Sequence, residues 1–258
     1  MVLLPRLARP PCNAMHDRGR PGSERPTRNS PNHLLRASSL AAAAWAVCHP
    51  AFAECLPNPP VDGSTVTCTG PAPSSTPINA PGAANVTVNI NPDAVMTGPG
   101  VLISVGAGAQ INILGALQPT SSLGVLAATN SVVRNFGNVT STGLNTLGLV
   151  SIGEFVTLSN EEGAVLNVNS ETSAGLLAAG GDFNTLTNAG RITLTAFQGG
   201  GLFTQSGNNH VLINAPIGLI ETSQDQAFGM NVMFGTGHTV INQGTIVTEG
   251  EASHGILL

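Results

Sequence analysis

The chain has no lysine and no tyrosine, one tryptophan, and only 9% charged and 3% aromatic residues among 258. A globular domain normally carries about a quarter charged residues. Long soluble helices need Glu, Lys, Arg and Gln on their wet faces, so this scarcity excludes a mainly helical architecture. It also speaks against a Rossmann-type or kinase-like enzyme, which needs more ionisable groups. At 41% hydrophobic residues the chain is too apolar to be simply disordered. Turn formers are abundant, with 31 Gly and 18 Pro. These traits leave a β-rich fold punctuated by turns, and the length admits one large domain or two small ones.

Charge is segregated along the chain. All nine basic residues are Arg, and seven of them lie between Arg6 and Arg36; only Arg134 and Arg191 follow. From Glu54 onward there are two basic and twelve acidic residues, a balance of −10. A body this acidic repels nucleic acid, so no nucleic-acid partner is expected. The basic head leads into Leu34 and Leu35, an apolar run from Ala37 to Val47, and Ala51-Phe52-Ala53. That order matches a signal peptide over 1–53, cleaved between Ala53 and Glu54. Its n-region is long: either the signal is extended, or translation starts at Met15. The apolar run is too short to span a bilayer, which takes about 20 residues.

Export sets the redox context. Cys12 and Cys48 leave with the signal, and Cys55 and Cys68 remain in an oxidising compartment. A Cys55–Cys68 disulfide is therefore expected. The segment 54–84 that holds the pair carries six prolines between Pro57 and Pro77 and reads as an N-terminal cap or linker.

The remainder, 85–258, copies itself. An Asn, a short turn, a Gly and a β-branched strand recur, with the Asn at 112, 135, 160, 188, 214 and 242. The mean step is 26 residues, a period that marks a solenoid. Two further elements keep the same beat. One is a short strand before each Asn, with Val133, Leu158, Leu186, Leu212 and Val240 two residues ahead of it. The other is a Gly followed by an aliphatic pair that begins at Val125, Leu149, Leu176, Leu202, Met230 and Ile256. Two residues after the first kind of Gly stand Leu117, Val139, Val165, Ile192, Ile220 and Ile246 in most copies. Seventeen aliphatic residues at fixed positions, in a chain 41% hydrophobic, have a chance probability on the order of 10⁻⁷.

The expected fold is therefore all-β: a parallel β-helix with three short strands per rung, rungs about 4.8 Å apart and aliphatic columns forming one core. The Asn column, Asn112, Asn135, Asn160, Asn188, Asn214 and Asn242, falls at a corner. Stacked side-chain amides there can bond from rung to rung.

Candidate chemistry is sparse. His210 and His238 both lie four residues before a ladder Asn and should stack about 5 Å apart. Their column also holds Ser131, Val156 and Asn184, so no third metal ligand is evident and the pair reads as two turn histidines. β-Helical pectinases and lyases cluster Asp, Lys or Arg on one strand face. Here Lys is absent, and Asp93, Asp182 and Asp225 fall in turns at unmatched repeat positions. Gly180-Gly181-Asp182 matches a calcium nonapeptide repeat only once and in part. No catalytic residue, metal or cofactor is expected.

A three-stranded coil punctuated by Asn, Gly and Ile behind a long signal resembles the passenger domains of bacterial autotransporters. The stretch from Asp62 to Gly70, with Cys68, looks like the start of many mature passengers. The resemblance implies a right-handed β-helix displayed at the cell surface or secreted. Autotransporters end in an outer-membrane translocator barrel, and this chain stops at Leu258 before one. The implied protein is a passenger truncated at its C-terminus, periplasmic as a fragment. Its partners would be the missing barrel and a ligand on host or bacterial surfaces, or further copies of itself. An adhesive or aggregating role without catalysis is expected. A polysaccharide-acting β-helical enzyme and an inert spacer stalk are the alternatives.

Overall fold

The structure is a computed structural model that describes residues 53–258 apart from 171 and 172. The described residues form strands and turns, with no helix. About seven turns of parallel strands stack into a β-solenoid with three strands per turn. The first sheet runs through Thr65–Thr69, Thr87–Ile90, Gln110–Ile113, Val132–Asn135, Thr157–Asn160, Thr185–Asn188, Val211–Asn214 and Thr239–Asn242. The second holds Val95–Gly98, Ala116–Pro119, Asn138–Ser141, Val165–Val168, Arg191–Leu194, Leu219–Thr222 and Thr245–Thr248. The third holds Ile78–Ala80, Ile103–Val105, Leu123–Ala127, Leu147–Ser151, Ala174–Ala178, Gly200–Thr204, Phe228–Val232 and His254–Leu257.

Period-two alternation builds the core. In each strand one set of side chains points inward and meets the same set from the turns above and below. Val66, Val88, Ile111, Val133, Leu158, Leu186 and Leu212 are all fully buried and stacked in the first sheet. Val125, Leu149, Leu176, Leu202 and Met230 form the corresponding column of the third. In the second sheet the column is Leu117, Val139, Leu166, Ile192 and Ile220. Leu166 therefore takes the place that the repeat alignment assigns to Val165, which instead pairs with Asn138 and Arg191 and points outward. Gly163 misled the alignment. It sits inside a longer turn with φ 78°, and Ala164 is the true counterpart of Gly190.

The core is wholly aliphatic in these columns, and the aromatic residues among those described lie outside it. Close approach of the sheets explains the third sheet's glycines. A Cβ on Gly201 would lie 2.6 Å from the carbonyl oxygen of Gly229 and 2.5 Å from a methyl of Ile220.

The Pro-rich segment 54–84 already carries strands. Thr65–Thr69 pairs in parallel with Thr87–Ile90, and Ile78–Ala80 pairs with Ile103–Val105. Glu54–Leu56 pairs antiparallel on Thr65–Thr69 and covers the first edge of the coil. Covering an edge in this way blocks further strand addition. Cys55 lies opposite Cys68 across that pair, and the two form a disulfide. In the loop-entropy picture, closing a loop of this length restricts the unfolded chain by about 3 kcal/mol. Reduction should therefore lower the denaturation midpoint of this end of the coil. Hydrogen exchange in Thr65–Thr69 should rise on reduction while exchange near Leu186 stays unchanged, because turns contact only their neighbours.

Candidate functional site

Two ladders of side chains hold the corners of the coil. In the first, the amide nitrogen of Asn135 donates to Oδ1 of Asn160 (2.8 Å). The pattern repeats from Asn160 to Asn188, Asn188 to Asn214 and Asn214 to Asn242, each at 2.9 Å. Each donor also reaches a backbone carbonyl of the turn beyond: Val165, Arg191, Leu219 and Thr245. Asn112 is not in this column. It pairs with Arg134, one position off, and donates instead to Asn89 on the outward face (2.9 Å). Ile90 and Ile113 fill the corner there, both fully buried. The ladder therefore has five members, starting where an aliphatic corner gives way to amides.

The second ladder contains the His pair. The Asn184 backbone N–H donates to Nδ1 of His210 (3.1 Å), and the His210 N–H donates to Nδ1 of His238 (3.3 Å). The other ring nitrogen faces a carbonyl four residues back, Ser206 for His210 (2.9 Å) and Phe234 for His238 (3.2 Å). Both rings thus fit the neutral tautomer with the proton on Nε2. Asn184 imitates them one turn earlier: Oδ1 accepts from Val156 N–H, and Nδ2 donates to Gly180 O. The rings stack with centroids 5.2 Å apart. Both nitrogens of each ring are thus engaged with backbone groups of the corner. No group of three potential ligands occurs among the described residues.

Burial holds His210 below its ordinary value of 6.5. His238 adds to the shift, against the Ser206 carbonyl and Asp182. The folded state therefore resists protonation while the unfolded chain accepts it. Stability should be full above about 6.5 and fall as pH drops below that towards the folded value. The thermal midpoint should be lower at pH 5.5 than at pH 7.5, and His210→Asn, copying Asn184, should flatten the difference.

The aspartates are engaged in holding turns. Asp62 accepts the N–H of Ala84, Asp93 that of Gly70, Asp182 that of Asn208 and Asp225 that of Glu251. Each bond joins one turn of the coil to the next. Glu161 accepts from the Ser159 hydroxyl, and Glu221 pairs with Arg191. Asp182 is thus a turn clamp, accepting from both the backbone N–H and the side-chain amide of Asn208. Of the expected cleavage site, Ala53 is buried and Glu54 opens the covering strand. The rest of the expected signal, residues 1–52, lies outside the described residues.

The outward face of the third sheet is unlike the other two. Leu126, Val150, Leu177 and Phe203 stack on it, and Val150 and Leu177 are 2% and 4% exposed. The neighbouring outward column runs Leu123, Leu147, Ala174, Gly200, Phe228 and His254. Two small residues between Leu147 and Phe228 leave a hollow. It measures about 520 Å³. The periodic search for a core took the first residue of each Gly-led aliphatic pair and overlooked the second. Those second residues were the signal for this apolar outer face.

The sequence model of the BigA third pectate lyase-like domain matches residues 73–256. The chain belongs to this family. The match begins inside the Pro-rich segment, near where the first parallel pairings form. A β-helix domain of a bacterial surface protein, as this family is, agrees with the stacked coil described above. Searches of curated proteins and of solved structures return no significant match. The features of this chain that stand out physically are the five-Asn ladder, the His corner and the hollow on the third sheet.

Proposed function

We propose that this chain is the exported, non-catalytic β-helix of an autotransporter-type surface protein, and that it makes adhesive contacts through its outer faces. The observation that carries the reading is the division of labour among side chains. All four Asp residues from Glu54 onward are committed to turn N–H groups. By contrast, large apolar side chains are spent on the surface. Phe136, Phe155, Phe183, Phe197 and Phe234 are each 44–65% exposed. Phe155 and Phe183 stack at 5.1 Å on a corner where both have positive φ, 56° and 59°. Bulky residues rarely adopt that backbone. Exposed apolar patches of this kind mark interaction surfaces. The signal features over 1–53 support export, with maturation at Glu54 and display at the cell surface or release.

Beads coated with the purified full chain should adhere to bacterial or epithelial cells above albumin-coated beads. The same protein should release no reducing ends from polygalacturonate or neutral polysaccharides. Turnover of any of these would overturn the non-catalytic reading, and beads that adhere no better than the albumin control would overturn the adhesive one.

A further inference from the structure

We infer that the hollow on the outward face of the third sheet is a binding site for a neutral glycan. The proposal rests on the non-catalytic contact reading above and specifies what is contacted.

The hollow is built by sequence. Ala174 and Gly200 occupy consecutive turns in a column that is otherwise large, so the space between Leu147 and Phe228 is unfilled over two rungs, or about 10 Å. That length suits a short run of sugar rings lying along the coil axis. Phe228 stacks on His254 with centroids 6.0 Å apart on the side away from Gly200. On the other side Gly200 carries no side chain, and the Phe203 side chain leans over it, with its Cβ and ring carbons 3.0–3.8 Å from where a Gly200 Cβ would be. Phe203 lines the same hollow from the neighbouring column. Aromatic faces of this kind take the apolar C–H face of a pyranose.

The rim supplies hydrogen bonds without charge. Gln198 and Gln226 stand at equivalent corners of consecutive turns, and Nε2 of Gln198 donates to Oε1 of Gln226 (2.8 Å). That bond leaves the Gln198 oxygen and the Gln226 amide hydrogens for a ligand. Both residues have positive φ, 56° and 55°, a conformation that is uncommon for Gln and tends to persist where surroundings enforce it, as at ligand clamps. Ser173 borders the hollow and is itself buried; Asn145, Gln205 and Asn231 add further uncharged polar residues to the lining.

No charged residue occurs in the lining among the described residues. An anionic polysaccharide would find no counter-charge there, and the acidic body of the chain would repel it. A neutral, hydroxyl-rich ligand with apolar faces matches what the hollow offers: aromatic rings and side-chain amides.

The test is a glycan microarray probed with the labelled full chain, followed by titration calorimetry with the strongest neutral oligosaccharide. Binding to neutral glycans is expected, with anionic ones at background. Phe228→Leu keeps apolar volume and removes the aromatic face; Gln226→Ala removes the amide. Each should weaken binding at least tenfold with an unchanged circular-dichroism spectrum and thermal midpoint. Thr187→Ala, on the outward face of the first sheet, should bind as the parent does. Silence across all neutral glycans would overturn the inference. So would a preference for anionic glycans, or groove variants that bind as the parent. Concentration-dependent dimerisation that Phe228→Leu abolishes, with no glycan bound, would assign the hollow to a second copy instead. Reducing ends released from the bound glycan would count against the non-catalytic reading and leave the site in place, so the two failures are distinguishable.

Discussion

Replacing Leu186 with Asp should unfold the middle of the coil. Leu186 is fully buried and stacked directly between Leu158 and Leu212, with no polar partner in its column. A carboxylate there either stays charged in an apolar core or is protonated at the expense of a raised pKa, and the lost Leu packing adds to the cost. The total should be at least about 3–5 kcal/mol, the range seen when a buried charge is left uncompensated. Because each turn is stabilised by its two neighbours, the damage should spread to the flanking turns. The measurement is urea denaturation followed by circular dichroism. The contrast is Thr187→Asp, one residue along the same strand and pointing outward, which should change stability by no more than about 0.5 kcal/mol. Equal effects at 186 and 187 would mean that the inward column is misassigned.

Removing one amide from the corner should cost nearly as much. Asn188 is fully buried, accepts from Asn160, and donates to both Asn214 and the Leu219 carbonyl. Asn188→Ala orphans groups on both neighbouring turns, and each buried unsatisfied group costs about 1–3 kcal/mol, so a loss of about 2–5 kcal/mol is expected. Asn112→Ala removes a single bond to Asn89 at a half-buried site and should cost about 0.5–1.5 kcal/mol. Six equivalent asparagines would give two similar losses. A clear difference, read from denaturation midpoints, is what a five-member ladder requires.

Much of the fold was legible because a solenoid writes its tertiary contacts into its period. Residues one turn apart in sequence become neighbours in space, so the aliphatic columns of the first and third sheets could be read from the chain alone. The alignment slipped where turn length changed. The step from Val133 to Leu158 is 25 residues and that from Leu158 to Leu186 is 28, against 22 or 23 between the earliest turns. Anchoring each copy on its Gly then placed Val165 inward and Asn112 in the ladder. Hydrogen-bond register, which ignores loop length, placed Leu166 and Ile113 there instead.

The candidate sites divide in the same way. The stacking of His210 over His238 followed from spacing, but their role as acceptors for backbone N–H groups did not, since it depends on ring orientation at a corner. The hollow was invisible because it is a property of two columns at once: small residues in one and aromatic residues beside it.

The sequence alone determined that the chain would be a coil of three short strands per turn with an aliphatic core, because three short apolar strands recurring every 26 residues or so are buried together when successive repeats stack. Only the tertiary structure decided which residue of each turn faces in, where the amide ladder begins, and that the third sheet is apolar on its outer face. Those outcomes depend on register between turns of unequal length, and register is set by backbone hydrogen bonds that no single turn specifies by itself.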